Sequence, residues 1–330
     1  MSIGATVRVM SAEEIAARAG GGEAPFIHWP QRATVFAERE MRLRQLAPGH
    51  AMQDFLRFMA ELAHAQQARL AVFPSVPLPD AVSLDRAARR GMPPLSASEW
   101  PRDGAWRHAL RALAAELRDK APADAATVLS RLAEADDDWL EGQADCLLTG
   151  VMHGLDLASA PIVAAALQVY WTHLVLAVQQ GHAAQGQPFG RTDDATACPC
   201  CGSRPTASIT RNVGDLLGQR YLHCSLCNVQ WHMQRIRCTH CLSDKQVAYH
   251  SLDAADADDE TSRAANVPVL AETCDDCDHY LKIMHTDRDP FVDPVADDLA
   301  SLTLDLLVSE AGKQRHGVNL MLLFGDPGGP

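Results

Sequence analysis

The sequence predicts a multidomain α+β protein with an α-helical domain at residues 1–190 and two small four-cysteine metal modules at residues 191–236 and 237–290. A C-terminal helix and tail, residues 291–330, should pack on the rest. Two observations lead to this prediction. Alanine and leucine are abundant before residue 190, where apolar residues recur at helical spacing. Beyond it, apolar segments shorten and alternate, and nine of the ten cysteines crowd between Cys198 and Cys277.

Composition narrows the class of protein. The chain has 330 residues, 47% of them hydrophobic, and a net charge of -13. This composition predicts a folded protein, and the acidic balance argues against a general nucleic-acid binder, which needs lysine and arginine to neutralise phosphates. The N-terminus lacks a basic segment followed by an apolar one, and the apolar run 161–178 is interrupted by polar residues. We therefore expect a cytoplasmic protein without a membrane span or structural disulfides.

The N-terminal 190 residues show helical periodicity in several segments. The clearest are residues 51–62, 106–117, 126–140 and 159–180. Breaks rich in Gly and Pro fall at residues 73–80, 91–96 and 186–194. The last break is the predicted domain boundary.

Four Cys-x-x-Cys pairs lie within 80 residues, and this repetition strongly indicates metal binding. A single pair would be equally typical of a redox motif, whereas two such turns can complete a tetrahedral four-cysteine site. Sequential pairing is the simplest assignment, with interleaved pairing as the alternative. It gives a first site of Cys198, Cys201, Cys224 and Cys227, and a second site of Cys238, Cys241, Cys274 and Cys277.

The spacing leaves the metal and the role of these modules open. Four thiolates suit zinc, which would be structural, and also single iron ions, which would add a one-electron couple. Three interpretations compete: a nucleic-acid zinc ribbon, a metal-stabilised protein-binding module and a rubredoxin-like electron carrier. A basic patch in the first module keeps the nucleic-acid interpretation open, and its arginines are candidate partner contacts. They are Arg204, Arg211, Arg220, Arg235 and Arg237.

Acidic residues oppose nucleic-acid binding. Asp275, Asp276 and Asp278 surround the fourth cysteine pair, and the run 253–260 is most simply a solvated loop. We therefore expect no nucleic-acid partner.

Other conspicuous residues are most simply structural. Because eight thiolates are available, histidines near the sites should support or surround the ligands rather than bind metal. These histidines are His223, His232, His240, His250, His279 and His285. Cys200 is an additional cysteine inside the first pair, predicted to point away from the metal as a spare, oxidisable thiol. No nucleophile–base set is evident, so we expect no enzymatic activity.

The C-terminal helix should begin with Asp293 as its N-cap and Pro294 at its first position. Acids in the first turn are favoured by the helix dipole, so Asp297 and Asp298 are expected to be structural rather than catalytic. The predicted apolar stripe of this helix consists of Leu299, Leu302, Leu306 and Leu307.

The C-terminal part also resembles a known family. The segments CPCCGSRP, RYLHCSLCNVQWH, IRCTHC, ETCDDCDHYLKI and DPVADDLASLTLD, in that order, resemble the formate dehydrogenase accessory protein family, FdhE. The resemblance covers residues 198–324. Cys200 and the long acidic run 253–260 depart from the family pattern.

The resemblance implies an α-helical domain followed by two rubredoxin-like modules, in a cytoplasmic protein needed for maturation of respiratory formate dehydrogenase. Its implied partner is the catalytic subunit of that enzyme, and the eight paired cysteines would be ligands for two metal ions. Members of the family are associated with iron at these cysteines, so the resemblance favours iron over zinc. An electron-transfer role during maturation is the alternative function, and a homo-oligomer stays open.

Overall fold

The computed structural model describes residues 24–182, 188–214, 216–252 and 267–322. The acidic run at 253–260 therefore lies outside the described residues, as does the N-terminus. Seven helices precede the metal modules in the described part of the chain. They are α1 (Val35–Leu46), α2 (Gln53–Ala71), α3 (Ala81–Arg89), α4 (Ala105–Arg118), α5 (Ala123–Glu134), α6 (Asp137–Thr149) and α7 (Ala160–His182).

The predicted breaks at 73–80 and 91–96 are confirmed, because α2 ends before the first and α3 lies between them. The Asp80 carboxylate caps α3 by accepting from the Ser83 N–H. The prediction of one helix over 126–140 is wrong. Asp136 adopts an extended conformation and accepts from the Trp139 N–H, so it caps a new helix, α6.

Helix α7 is the central helix of the helical region. It is long and apolar enough to span a membrane by length and composition, yet 83% of its most apolar window is buried inside the protein. Trp171 and Tyr170 are fully buried, and the Gln168 side chain donates to the backbone carbonyl of Ser225 at 2.7 Å. This burial agrees with the predicted core helix.

The cysteine-rich region forms one mixed sheet rather than two separate sheets. Its strands are β1 (Ile27–His28), β2 (Pro205–Val213), β3 (Leu216–Cys224), β4 (Gln230–His232), β5 (Val247–His250), β6 (Val269–Cys274), β7 (His279–His285) and β8 (Gln314–Arg315). The strand order is β1-β4-β3-β2-β7-β6-β5, with β8 pairing β7. Parallel pairing of β2 with β7 joins the two predicted modules.

Two helices follow the sheet, α8 (Ala296–Ala300) and α9 (Leu302–Glu310), where one helix was predicted. The Asp293 carboxylate does cap the segment, accepting from the N–H groups of Val295 and Ala296. The predicted apolar stripe is only partly correct, because the chain turns at Ser301 and changes the buried face. Leu299 is buried, but Leu306 and Leu307 are exposed, and Leu304 and Val308 are buried instead.

Buried ion pairs fasten this C-terminal segment to the rest of the protein. The Arg42 guanidinium on α1 pairs with Asp297 at 2.7 Å, and Asp298 pairs with Lys282 at 2.9 Å and with Arg315 at 2.7 Å. Asp297 and Asp298 are both nearly inaccessible to solvent. Their contacts support the structural role predicted for this acidic pair.

Candidate metal centre

The first four-cysteine cluster, called cluster 1, consists of Cys198, Cys201, Cys224 and Cys227, and all four side chains are buried. Their sulfur atoms lie within 4.8 Å of one another. Two of the Sγ–Sγ distances are 3.5 Å, between Cys198 and Cys227, and 3.4 Å, between Cys201 and Cys224. These distances are far longer than a disulfide bond of about 2.05 Å.

The second cluster, called cluster 2, consists of Cys238, Cys241, Cys274 and Cys277. Its sulfurs also lie within 4.8 Å of one another, with Sγ–Sγ distances of 3.6 Å for Cys238–Cys277 and 3.7 Å for Cys241–Cys274. The structure thus brings the thiols together in the sequential arrangement, and the interleaved alternative is wrong.

Both clusters fit a tetrahedral thiolate site. A metal–sulfur bond of about 2.3 Å places neighbouring sulfurs of a tetrahedron about 3.8 Å apart. The four sulfur–sulfur distances given above, 3.4 to 3.7 Å, lie slightly below that edge length. Zinc and single iron ions both accept this geometry, so the two clusters can hold two metal ions of either kind.

Each cysteine pair sits on a turn of the same backbone shape. The residue directly after the second cysteine has a positive φ in all four turns: 76° at Gly202, 60° at Asn228, 62° at Leu242 and 54° at Asp278. Backbone N–H groups of the turns point at sulfur, as when the N–H groups of Cys227 and Cys241 donate to the first cysteine of their pairs. The turn therefore aims both sulfurs at one point, even where the residue is not glycine.

The protonation of cluster 1 depends on its burial. Burial raises the pKa of the Cys198, Cys224 and Cys227 thiols. Burial acts in the same direction on Cys201, but hydrogen bonds from the other three thiols outweigh it and lower its pKa. A divalent ion would displace the protons and neutralise the buried negative charge.

Cluster 1 lies in the main hydrophobic core, between the helical region and the sheet. The backbone carbonyls of Cys200 and Cys201 accept from the N–H groups of Leu95, at 3.0 Å, and Ala97, at 2.8 Å. The first knuckle is therefore hydrogen-bonded directly to the segment that links α3 and α4.

Cysteine 200 is fully buried and is not one of the four clustered sulfurs. Burial raises the pKa of its thiol. The prediction of an oxidisable thiol is therefore wrong, because oxidation requires an exposed sulfur with thiolate character.

Cluster 2 is much more accessible. Cys241 is exposed and Cys277 is half-buried, whereas Cys238 and Cys274 are buried. The C-terminal segment braces the fourth knuckle, because Lys313 Nζ donates to Asp275 at 2.6 Å and to Asp278 at 2.8 Å. Salt bridges thus hold this knuckle of cluster 2, whereas hydrophobic packing surrounds cluster 1.

Two of the predicted histidines lie beside cluster 2 and form with Cys277 a third group that could hold a metal ion, so their supporting role stays a prediction. The rings of His240 and His279 stack with their centroids 3.6 Å apart, and one nitrogen of each lies within 4.8 Å of the Cys277 sulfur. His316, which the sequence interpretation missed, packs edge-on against His240. His316 lies far in sequence from every cysteine pair, so no sequence pattern indicated that it would contact His240 beside this cluster.

The remaining four of the six histidines named from the sequence lie on strands of the sheet. His223 is buried beside Cys224 on β3, and His232 packs its ring edge-on against Tyr221. On β5, His250 contacts the Thr273 hydroxyl at 3.0 Å, and His285 lies at the end of β7.

The arginines proposed as partner contacts lie in different environments. Arg204 and Arg235 are exposed, while Arg211 and Arg237 are half-buried. Arg220 is 1% exposed and pairs with Glu272 of β6 at 2.6 Å. The prediction for Arg220 is therefore wrong: this guanidinium joins the two modules inside the protein and cannot reach a partner.

Comparisons with known proteins agree with this architecture. Three family models match in chain order: "FdhE, N-terminal" over residues 24–187, "FdhE, central domain" over residues 197–235 and "FdhE, C-terminal domain" over residues 236–322. Among relatives, the "Protein FdhE homolog" of Pseudomonas aeruginosa is 40% identical over 305 residues, which are 92% of this chain and 94% of the relative.

Two further relatives extend the match. "Protein FdhE" of Escherichia coli strain K12 is 35% identical over 302 residues, 92% of each chain. The crystal structure of the FdhE protein from Pseudomonas aeruginosa superposes with a TM-score of 0.78 at 39% identity, and covers 92% of this chain and 100% of that one. These matches, together with the helical region and the two four-cysteine clusters, show that the chain belongs to the FdhE family.

Proposed function

We propose that this chain is a cytoplasmic assembly factor that binds the catalytic subunit of a respiratory formate dehydrogenase and has no catalytic activity of its own. Family membership supports this role, since the cysteine motifs lie in the matched FdhE central and C-terminal domains and resemble those of the formate dehydrogenase accessory protein family. Asp297 and Asp298, the candidate catalytic carboxylates, are already engaged in buried ion pairs. The proposal assigns a metal ion to each cluster, with iron favoured and zinc as the alternative.

The proposal rests on the different burial of the two clusters: cluster 1 is fully buried, and cluster 2 is partly exposed to solvent. A metal in cluster 1 would fix the junction between helices and sheet, because its ligands belong to the shared core. A metal in cluster 2 would stiffen an accessible edge of the same sheet. The ions would thus supply folding free energy and preorganise a binding surface.

Two exposed arginines are the candidate contacts of that surface. Arg204 lies directly before β2, and Arg235 follows β4. Exposed guanidinium groups can form bidentate bonds with carboxylates of a partner. Arg211 and Arg237 are half-buried and offer less surface.

A pull-down from formate-grown cells tests the proposal, with metal analysis of the same preparation. We expect the tagged chain to capture the catalytic subunit, identified by mass spectrometry, and to carry about two metal ions. The double variant Arg204→Glu/Arg235→Glu should lose the capture. The matched control Arg118→Glu, at an exposed position of α4, should keep it. Capture of unrelated proteins only, at full metal content, would contradict the proposal.

The exposure of Cys241 favours one second candidate, electron transfer during maturation. Iron in cluster 2 would supply a one-electron couple whose ligand reaches solvent. Aerobically purified protein should then show ferric–thiolate absorption that dithionite bleaches. A colourless preparation loaded with zinc would leave only the structural role.

A further inference from the structure

A second candidate site lies beside cluster 1, in a cavity of about 420 Å³ on one face of the sheet. Its lining includes His223 and Asn228, the chain neighbours of Cys224 and Cys227. Helix α1, strands β2 to β4 and the loop before α8 enclose it. Polar groups, Arg211 and His223 among them, lie on the sheet side of its lining. Apolar side chains, including Trp29, Met41 and Phe291, lie elsewhere in the same lining, and the last two are exposed.

A chain of hydrogen bonds fixes the donors of the polar part. Arg211 Nε donates to Gln230 Oε1 at 2.6 Å, so the other end of that amide, Nε2, faces His223 Nδ1 at 3.3 Å. Because an amide nitrogen only donates, His223 Nδ1 accepts and the ring proton lies on Nε2. This Nε2–H is buried and has no hydrogen-bond partner among the described residues. The imidazole therefore presents an unused donor.

The guanidinium groups add further donors. Arg211 is half-buried, has no carboxylate within ion-pair distance in the described part of the chain, and burial lowers its pKa. Arg39, which does not itself line the cavity, is 1% exposed and donates from Nη2 to the lining residue Asn228 at 2.8 Å, and its Nη1 is a buried donor without a described partner. The nearby Asp293 carboxylate already accepts from Arg39 Nε and from two backbone N–H groups. All three bonds end on Asp293 Oδ1, so Asp293 Oδ2 and the Glu38 carboxylate are the acidic groups of the lining that a bound carboxylate would face.

We propose that this cavity is a carboxylate-binding site, in which Arg211 and His223 bind the carboxylate and the apolar residues contact the carbon skeleton that bears it. A carboxylate offers two coplanar acceptor oxygens that match a guanidinium fork. The apolar lining favours an organic acid over inorganic phosphate. Glu38 also lines the cavity and is exposed, so its charge weakens the site.

The carboxylate could come from an acidic side chain of a protein or from a free small acid. Carboxylate binding by this cavity does not depend on the formate dehydrogenase partner. Calorimetric titrations of the full-length, metal-loaded chain distinguish the two sources. The probes are acetate, formate, a short peptide amide with one glutamate, and inorganic phosphate.

We expect saturable binding of at least one carboxylate probe, weakened at least tenfold by Arg211→Gln. The matched control Arg118→Gln removes an exposed arginine of α4 outside the cavity lining and should bind as the parent does. Tighter binding of the peptide assigns the site to protein carboxylates, and tighter binding of acetate or formate assigns it to small acids. Metal content and far-UV circular dichroism show whether each variant is folded.

Glu38→Gln provides a test in the opposite direction. Removing this like charge from an exposed position on α1 should tighten carboxylate binding several-fold at low salt. Three results would each overturn the proposal: no saturable carboxylate binding, equal binding by Arg211→Gln, or binding of phosphate in place of every carboxylate.

Discussion

The two clusters share one ligand set and one turn geometry but lie in opposite surroundings. All four cysteines of cluster 1 are buried, and they belong to the same hydrophobic core as the helices. In cluster 2 one cysteine is exposed, one is half-buried, and the bracing contacts are salt bridges with Lys313. A four-thiolate site is thus a structural unit whose role is set by what packs around it.

This difference predicts a division of roles. A metal ion in cluster 1 would be part of the fold, because losing it leaves four buried cysteine side chains without their metal in the core of the protein. A metal ion in cluster 2 would exchange more readily, and its ligands could contact solvent and a partner protein. The predictions below separate the two clusters, from the largest expected effect to the smallest.

The largest effect should come from the double variant Cys224→Ser/Cys227→Ser. It should lose about one metal ion per chain. Because serine leaves polar groups without metal in the main core, the melting temperature should fall by roughly 10 °C or more. Metal analysis and thermal unfolding measure both. An unchanged metal content would refute the assignment of these thiols as ligands.

The matching variant in the accessible cluster, Cys241→Ser/Cys277→Ser, should also lose about one metal ion. Its melting temperature should fall by only about 4 °C or less, equivalent to roughly 3 kcal/mol for a chain of this length, because both side chains are at least partly solvated. A loss of stability as large as that of the first double variant would show that the clusters are equivalent.

Arg42→Ala should destabilise the junction between α1 and the C-terminal segment. It leaves Asp297, which is 3% exposed, without its guanidinium partner. Breaking a buried pair in this way costs about 3–5 kcal/mol, measurable by urea unfolding. The control Arg89→Ala breaks the exposed pair with Asp85 and should cost about 1 kcal/mol or less. Equal effects would contradict this account.

The smallest effect is a pH dependence in the helical region. Burial, reinforced by the Arg32 charge, lowers the pKa of His173 to about 4. The unfolded chain therefore binds a proton that the folded chain does not, and stability should fall as the pH drops from about 6.5 to about 4.

His173→Gln should flatten that dependence, measured as urea midpoints at pH 7 and pH 5. Protonation of the cysteines adds an acid dependence of its own, so the comparison is with His64→Gln, at an exposed position of α2. A slope in His173→Gln as steep as in this control would contradict the assignment.

Local signals predicted the candidate site well. The two-residue spacing of each cysteine pair fixes a turn, and four such turns predicted both clusters in the correct sequential pairing. The helical region was predicted from periodicity, although the extended Asp136 divides one predicted helix into two. The boundaries of the predicted domains stay a prediction.

Long-range contacts could not be predicted. Parallel pairing of β2 with β7 joins the two modules. The two strands are far apart in sequence, so no local pattern indicates that they pair. The same pairing explains Arg220, which looked like a surface cation but meets Glu272 across the sheet. The leucine stripe failed because the helix breaks at Ser301, which changes the buried face.

Metal release from the native protein tests the central claim most directly. A chelating indicator added to the fully loaded chain should remove about one ion quickly, from cluster 2, and the second only as slowly as the protein unfolds. The fast phase should be absent in Cys241→Ser/Cys277→Ser. Release of both ions in a single phase, or a fast phase that persists in this variant, would contradict the account.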